Sequence, residues 1–476
     1  MSLVSKPLLM TILLIIIVIA SESAVAFNAS NLIYGGGGSD NVWSAHPMAN
    51  GGFAVSVTTL SFNVSTYKPW KMGALWALFL DKTGSVNRSV VIDLGTPAAY
   101  YDSELVGTTL YSVGTTKDYM GVIAAVDESL GVKYVKNISI LGHDLIPTVV
   151  ELYGETGSLI VLIWDRNQTS IVLASIDLNG TVEWAYNIDF GPSYYTIPFS
   201  LAIVGDKALV AGYYPAFALL FNLTSKTVEW ARVFYKSSLY DLYIYNVTVT
   251  GNEWFASGIV YSAGYDGLII KGDISTGSVI GALKVYTSNE DYLFGSHIKG
   301  DSIYFVGYVD QGGSRRNDTL IFALNTTTLE PKFIYQSALP VNDWSYNVVE
   351  DSEGKLFIVG GLAPTGDDNV WITQFSDETG DLVGCNYPSS TTPSIAALSV
   401  TASNVTVTVS NVTNSSSTGD VPYTTIAPSV FGIHYCPYEI GGQLVSDEAI
   451  DSAGYAAAGA SLLALAALLL GRKALS

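Results

Sequence analysis

The sequence is poor in charged residues, and poorest in positive ones. Only 13% of its 476 residues are charged, and 22 Lys and Arg stand against 42 Asp and Glu, for a net charge of −20. Nucleic acid and anionic membrane surfaces would repel such a chain, so neither is an expected partner. With 12% aromatic residues and 45 Gly, the chain is still too apolar to be disordered.

Residues that carry familiar catalytic and metal-binding motifs are scarce as well. The four histidines show no metal-ligand spacing. There is no Gly-x-Ser-x-Gly elbow, His-Glu-x-x-His helix, phosphate-binding loop or Cys-x-x-Cys pair. The sequence therefore predicts no cofactor, apart from the calcium hypothesis given below.

The two ends of the chain predict export and anchoring. A single Lys6, an apolar run and small residues up to Ala26 have the order of a signal peptide, which predicts a signal helix over 1–26 that is removed. Residues 453–471 carry no charge and predict one transmembrane helix, long enough to cross a bilayer. The cationic tail 472–476 would lie in the cytoplasm by the positive-inside rule, leaving the bulk of the chain outside the cell. A buried Ala-rich helix or a processed sorting signal are the alternatives for the C-terminal segment.

N-glycosylation acceptors are abundant, as expected for an exported glycoprotein. A Thr-rich β protein also produces some of these triplets by chance. The acceptor positions are Asn28, Asn63, Asn87, Asn137, Asn167, Asn179, Asn222, Asn246, Asn317, Asn325, Asn404, Asn411 and Asn414.

A tract rich in Ser, Thr, Val and Asn spans 387–436 and is bracketed by the only two cysteines, Cys385 and Cys436. Such a composition predicts a low-complexity, sugar-coated loop or stalk. In an oxidising compartment the two cysteines are expected to pair, which would close the tract into a loop. A free stalk with reduced cysteines is the alternative, and residues 437–452 would then link either form to the membrane.

The middle of the chain repeats at intervals of about fifty residues. Thr-Val-Glu-Trp-Ala occurs twice, from Thr181 and from Thr227. Each unit has an apolar strand that ends, in most units, in Gly, then a second strand that ends in Asp or Asn, a turn and a last short strand. The first of these strands ends near Val57, Gly114, Ile163, Gly212, Gly258, Gly307 and Gly360.

Seven such units predict an all-β fold over 27–386. One sheet of four short strands cannot bury both of its faces, whereas seven sheets around an axis can, so we expect a seven-bladed β-propeller of four-stranded blades. Two stacked β-sandwiches are the main alternative.

The repeat resembles that of exported β-propeller proteins of bacteria and archaea. Residues 266–273 (Asp-Gly-Leu-Ile-Ile-Lys-Gly-Asp) and 355–360 (Lys-Leu-Phe-Ile-Val-Gly) fit that pattern best. The low charge, the Tyr and Thr content and the single C-terminal helix are similar to archaeal cell-surface proteins. The resemblance implies an architecture and little about activity, because such propellers include binding platforms and enzymes.

One acidic position recurs before the strand ends given above. We expect these carboxylates to lie where the innermost strand of each blade begins, around one mouth of the central channel. They either accept backbone N–H bonds at the turn or hold a hard cation such as Ca²⁺. The residues are Asp40, Asp102, Asp144, Asp241, Asp291 and Asp343.

The function expected from these features is a membrane-anchored, glycosylated, non-enzymatic module for binding, adhesion or envelope scaffolding. Its ligand would be a protein or a glycan, and tyrosine pairs such as Tyr194-Tyr195 and Tyr213-Tyr214 are candidates for stacking on sugars. The alternative is an extracytoplasmic propeller enzyme that acts on polysaccharide or peptide. A pocket with a close carboxylate pair, or a histidine beside a nucleophile, would favour the enzyme.

Overall fold

The described part of the chain is all β. The computed structural model describes residues 32–434 except 68–70, 141–142, 263, 312–316, 340, 364–366, 384–392, 414–415, 427 and 429. These residues form 34 β-strands and no α-helix. The chain thus confirms the all-β class that the alternation of short apolar runs with Gly, Asn and Asp turns predicts.

The strands form six hydrogen-bonded antiparallel sheets, one of which has ten strands. Apart from the C-terminal strands described below, they consist of four-stranded units, numbered here as sheets, each formed by hairpins of consecutive strands except in sheet 7. Sheets 4 and 5 are joined by one additional pairing, between Tyr213 and Tyr243. Sheet 1 contains β2 (Asp40–Pro47), β3 (Phe53–Thr59), β4 (Ala74–Leu80) and β5 (Val86–Asp93). Sheet 2 contains β6 (Ala98–Val106), β7 (Thr109–Thr116), β8 (Gly121–Asp127) and β9 (Gly131–Ile140). Sheet 3 contains β10 (Leu145–Tyr153), β11 (Ser158–Asp165), β12 (Ser170–Ile176) and β13 (Val182–Asp189).

The remaining sheets repeat this order. Sheet 4 contains β14 (Ile197–Val204), β15 (Lys207–Tyr213), β16 (Ala216–Asn222) and β17 (Thr227–Tyr235). Sheet 5 contains β18 (Leu242–Thr250), β19 (Glu253–Tyr261), β20 (Tyr265–Asp273) and β21 (Val279–Tyr286). Sheet 6 contains β22 (Glu290–Lys299), β23 (Ser302–Asp310), β24 (Asn317–Asn325) and β25 (Pro331–Gln336). Sheet 7 contains β26 (Asn342–Glu350), β27 (Leu356–Ala363), β28 (Asn369–Phe375) and, as its fourth strand, the N-terminal β1 (Leu32–Gly35).

The first strands of the sheets contact one another in a closed cycle. β2 contacts β6, and the contacts continue through β10, β14, β18, β22 and β26 back to β2. These seven inner strands therefore surround a central channel. Because β1 completes sheet 7, the two ends of the repeat region are joined within one sheet.

The hydrophobic core lies between neighbouring sheets. The second and third strands of sheet 1, β3 and β4, are buried along their whole length. The large aromatic residues Trp76, Trp254 and Trp371 are fully buried. Burying one such strand residue contributes about 1.5–3 kcal/mol, so a sheet covered on both faces gains far more than one with a solvent face.

The turn between the third and fourth strands uses an Asp or Asn, as the repeat predicts. Asp81 Oδ1 accepts the N–H groups of Thr83 and Ser85. Asn222 Oδ1 accepts those of Thr224 and Ser225. These short polar side chains thus satisfy backbone donors that the turn leaves without a strand partner.

The described residues between 394 and 434 form a belt around the outside of the sheets. Six short belt strands begin every seven or eight residues, and each pairs antiparallel with the outermost strand of one sheet. They are β29 (Ser394–Ala397) on β21, β30 (Thr401–Asn404) on β17, β31 (Thr408–Asn411) on β13, β32 (Ser416–Asp420) on β9, β33 (Thr424–Ile426) on β5 and β34 (Phe431–His434) on β1. The belt thus runs backwards from sheet 5 to sheet 1 and ends on sheet 7. Sheet 6 has no fifth strand among the described residues.

The belt explains the Val-Thr alternation of this tract. Val405, Val407 and Val409 pack on the core between sheets 3 and 4, while Thr406 and Thr408 are exposed. A two-residue period is what a strand with one buried face requires. The sequence predicts a loop or stalk here, and for the described residues 393–413, 416–426, 428 and 430–434 that prediction is wrong. The low-complexity composition of this tract is compatible with amphipathic edge strands. The folded unit therefore extends past residue 386.

Several sequence predictions lie outside the described residues. These are the signal helix 1–26, the transmembrane helix 453–471, the cytoplasmic tail, the 437–452 linker, both cysteines and the acceptors Asn28 and Asn414. Within the described part, no helix is long and apolar enough to span a membrane.

Candidate functional site

Each inner strand carries a β-bulge at the same place. The register shifts by one residue between Val42 and Ser44 in β2 and between Ile244 and Asn246 in β18, and likewise in the other five inner strands. A bulge redirects the extra side chain away from the regular pleat. The seven bulged residues are Trp43, Tyr101, Thr148, Phe199, Tyr245, Phe294 and Tyr346.

The glycines of the repeat lie opposite these bulges. Gly258 pairs with Ile244, and a Cβ on Gly258 would lie 1.9 Å from the Tyr243 carbonyl oxygen. Gly114, Gly212, Gly307 and Gly360 have the same close approach, at 1.8–2.0 Å. In these five sheets the bulge brings two backbones so close that only glycine fits. Val57 and Ile163 take this position in sheets 1 and 3.

Six of the seven bulged residues are aromatic and form an aromatic ring around the channel. Trp43 stacks on Tyr346 at a centroid distance of 4.9 Å. Tyr346 contacts Phe294 at 5.2 Å, and Phe294 stacks on Tyr245 at 5.1 Å. The contacts continue from Tyr245 to Phe199 at 5.4 Å and from Trp43 to Tyr101 at 6.3 Å. The exception is sheet 3, where Thr148 leaves a gap in the aromatic ring and Trp164 of β11 lines the cavity.

In sheets 1, 2 and 4 the residue after the bulge connects neighbouring inner strands. Asp102 Oδ2 accepts the Val150 N–H at 3.0 Å, and Ser200 Oγ accepts the Val247 N–H at 2.9 Å. The hydroxyls of Ser44 and Ser103 lie 2.6 Å apart. These bonds run from one sheet to the next, so the side chains fix the spacing of the sheets around the channel.

On sheets 1 to 3, a titratable side chain lies two residues beyond the residue that follows the bulge. His46, Glu104 and Glu151 each stand three positions after the bulge of their strand. Ser103 Oγ lies 3.2 Å from His46 Nε2, and burial lowers the pKa of His46 to about 4, so this imidazole is neutral at pH 7. Burial and then the nearby Asp102 charge raise the pKa of Glu104. Burial, Glu104 and Asp102 together raise the pKa of Glu151 well above its ordinary value.

The seven bulged residues and two of the three titratable residues, His46 and Glu151, line one cavity of about 840 Å³. All seven inner strands contribute to its wall, so it is the central channel. Asp102 and Glu151 are among its lining residues, and no Lys or Arg of the described chain lines it. The channel therefore combines aromatic faces and carboxyl groups without a compensating cation.

Tyrosines extend the aromatic ring across sheets 4 to 6. We call this the tyrosine surface: Tyr213, Tyr214, Tyr240, Tyr243, Tyr261, Tyr265, Tyr292 and Tyr308. Tyr213 reaches the aromatic ring through Tyr245 at 5.8 Å. Tyr214, Tyr240 and Tyr261 are 37%, 47% and 52% exposed, which leaves their faces open to a ligand. Of the two predicted tyrosine pairs, Tyr195 and Tyr214 are exposed and their neighbours are half-buried.

Five of the six predicted carboxylates lie at or next to the first residue of an inner strand. Asp40 accepts hydrogen bonds from the Thr59 and Ser61 hydroxyls, and Asp343 from the Thr319 N–H and the Ser337 hydroxyl. Asp291 and Asp241 likewise accept from residues three to five positions before them. These four carboxylates therefore support the start of an inner strand.

Asp144 also lies at the start of its inner strand, whereas Asp102 does not. Asp144 precedes β10, and its carbonyl accepts the Arg166 N–H. Asp102 lies inside the channel, four residues into β6 and one residue past the bulge. The described residues contain no group of three or more His, Cys, Asp or Glu side chains that could hold a metal ion, so the calcium hypothesis gains no support from the structure.

The predicted glycan acceptors differ in accessibility. Asn63, Asn87, Asn167, Asn179, Asn404 and Asn411 are exposed, and Asn137 and Asn317 are half-exposed. The side chains of Asn222 and Asn325 are engaged in turns. Asn246 lines the channel and accepts a hydrogen bond from Ser296 at 2.6 Å, so it is excluded as an acceptor in the folded chain.

Comparisons with known proteins give distant structural likenesses. No family model and no curated protein matches the chain. A chain of a mitotic checkpoint complex is 11% identical over 70% of this chain and 90% of its own length, with a TM-score of 0.45. The Cps50 (Swd1) β-propeller domain of Myceliophteria thermophila is 10% identical over 70% and 96%, with a TM-score of 0.43. A quinohemoprotein alcohol dehydrogenase from Comamonas testosteroni is 11% identical over 76% and 69%, with a TM-score of 0.44.

At these scores the likenesses carry no argument about function. The architecture follows instead from the strand pairing and from the closed cycle of inner strands. Antiparallel sheets repeated around a channel are the arrangement of a β-propeller. The chain is an all-β protein with this propeller arrangement.

Proposed function

We propose that this chain is a seven-bladed β-propeller that binds a glycan outside the cell as a non-enzymatic module. In this proposal the segment 1–26 directs export, 453–471 anchors the protein in the membrane, and the exposed acceptors carry N-glycans. Each of the seven sheets is one blade. The composition of the two ends and the net charge of −20 support this location.

The tyrosine surface is the observation that carries the proposal. Tyr214, Tyr240 and Tyr261 belong to one network of ring contacts and keep 37–52% of their surface exposed. A large aromatic patch that is exposed to solvent on a protein surface marks an interaction site. Tyrosine presents a flat apolar face together with a hydroxyl, which matches the faces and hydroxyl groups of a sugar ring. Glu290 accepts a hydrogen bond from Tyr292, so a carboxylate that can accept from sugar hydroxyls lies at the same surface.

A glycan array with the full-length protein in detergent micelles tests this function. We expect binding to a subset of glycans, and at least tenfold weaker binding by a Tyr214→Ala/Tyr261→Ala variant. Tyr423 is a matched control, because it is 40% exposed on the outer belt, away from the tyrosine surface. Equal binding by the double variant and the Tyr423→Ala control would contradict the proposal.

A second candidate is an enzyme that cleaves polysaccharide, because the channel holds neighbouring carboxyl groups. Glu104 and Glu151 are close enough for the charge of one to raise the pKa of the other. Two carboxyl groups, one of them protonated, are the machinery of most glycoside hydrolases. New reducing ends after incubation with a bound glycan, lost in Glu104→Gln and Glu151→Gln, would establish this activity. Intact glycan after prolonged incubation favours the binding module.

A further inference from the structure

We propose that the central channel is a second, separate binding site, which takes a small ligand with an aliphatic ammonium group. The ammonium would lie against Glu104 and Glu151, and the apolar stem would pass through the aromatic ring. Its wall shares Tyr213 with the tyrosine surface, but the site lies inside the channel and recognises a different chemistry. It depends on neither glycan binding nor membrane anchoring.

The carboxyl groups give the first argument. Glu104 and Glu151 make no hydrogen bond or ion pair with any residue that the structure describes, and Glu151 lies in the channel wall with Glu104 near it. Removing a carboxyl group from water without giving it a partner costs free energy. Glu151 therefore directs its hydrogen-bonding capacity at whatever fills the channel. An ammonium group donates three hydrogen bonds and supplies the missing positive charge.

The aromatic ring gives the second argument. Trp43, Tyr101, Tyr245 and Tyr346 present their rings to the same cavity that contains Glu151. Aromatic faces attract cations, and most strongly where water is excluded. They also cover an alkyl stem. Because five of the seven bulges require a glycine in the adjacent strand, the aromatic ring is built into the backbone and is not a chance feature of surface side chains.

The surrounding charges favour an organic cation. The titratable groups around Glu104 and Glu151 are Asp102 and the neutral His46, while His297 and Glu350, on sheets 6 and 7, pair with each other at 2.9 Å. No Lys or Arg of the described residues lines the cavity to neutralise the carboxylates. A bare metal ion fits less well, because the described residues offer no cluster of three or more metal-ligating groups. A volume of about 840 Å³ accommodates a chain of several carbon atoms with its hydration.

Isothermal titration calorimetry of the full-length protein with 1,8-diaminooctane tests the proposal, with 1,8-octanediol as the neutral probe of equal length. We expect the diamine to bind and the diol to bind at least tenfold more weakly. Affinity for the diamine should rise from pH 6 to pH 8, because the carboxyl groups release protons when the ammonium binds. Titrations in two buffers of different ionisation enthalpy measure that release.

Variants locate the site. The Glu104→Gln/Glu151→Gln double variant should lose at least tenfold in diamine affinity, whereas Glu155→Gln, which removes a carboxylate outside the channel, should bind as the wild type does. Equal binding of diamine and diol by the wild type would overturn the proposal without any variant. Equal losses in both variants would also overturn it, because they would show attraction to the net negative charge alone. Glycan binding should be unchanged in the double variant.

Discussion

The belt makes a quantitative prediction about what holds it in place. Val405, Val407 and Val409 are partly buried against the core of sheets 3 and 4. Replacing all three with Ser removes most of their apolar contact but leaves the backbone pairing available. Full burial of a valine contributes about 1.5–3 kcal/mol, so at partial burial the loss is about 1 kcal/mol per residue and about 3 kcal/mol for the triple variant.

Hydrogen exchange measured by mass spectrometry detects this loss locally. Each 1.4 kcal/mol is a factor of ten, so peptides covering β30 and β31 should exchange about a hundredfold faster in the triple variant. The matched control is Thr406→Ser/Thr408→Ser/Ser410→Ala, on the exposed face of the same segment. It should exchange as the wild type does, because exposed substitutions change stability by about 0.5 kcal/mol or less. Identical exchange in the two triple variants would refute the idea that these valines hold the belt on the sheets.

Three further predictions follow from particular residues. Gly258→Ala should displace the bulge of β18 and destabilise the protein in urea unfolding, because its Cβ would lie 1.9 Å from a carbonyl oxygen, whereas Gly154→Ala, with nothing within 4 Å, should be neutral. Burial raises the pKa of Asp343 from 3.8 to about 7, so the folded chain binds more protons than the unfolded chain and stability should fall as pH rises from about 4 to 7, a slope that Asp343→Asn should flatten. Cys385 and Cys436 each lie within three residues of a segment paired in sheet 7. Non-reducing peptide mapping should therefore find them disulfide-linked. Free alkylation of both would exclude a belt that is closed by a disulfide.

The repeat can be recognised in the sequence because backbone geometry restricts which residues fit opposite the bulges and in the turns. The residues that mark the strand ends, from Val57 to Gly360, all lie opposite a bulge, and five are glycine because a Cβ would collide with the inner strand. Asp and Asn at the ends of the third strands, such as Asp81, are equally restricted by the turns they support. These local requirements recur in every unit, so the period survives in the sequence.

The channel was less readable because its chemistry differs from unit to unit. The bulged residue is aromatic in six sheets and is Thr148 in sheet 3. The position three residues later holds His46, Glu104 and Glu151 on sheets 1 to 3 and His297 on sheet 6, but uncharged residues on the other three sheets. A superposition of the units on their glycines would have aligned the aromatic residues. It would also have placed Asp102 one residue past the bulge, away from the strand starts. The carboxyl groups come close together only because neighbouring sheets pack side by side around the channel. The sequence of a single repeat does not encode that packing.

The sequence of the belt does not reveal its strands directly, because their pairing partners are distant in sequence. Strand pairs such as Tyr186 with Asn411 join residues more than two hundred positions apart. The tract's own signals were the Val-Thr alternation and the spacing of seven or eight residues, which matches one strand per sheet. Its Ser, Thr and Asn content reflects an exposed outer face and does not indicate an unstructured chain.

The central claim is that the tyrosine surface is where ligand binds. Hydroxyl-radical footprinting of the full-length protein, with and without a glycan selected on the array, measures it directly. We predict that Tyr214, Tyr240 and Tyr261 become protected from oxidation while Tyr423 on the belt is unchanged. Protection of Tyr423, or of none of the four, would contradict the account.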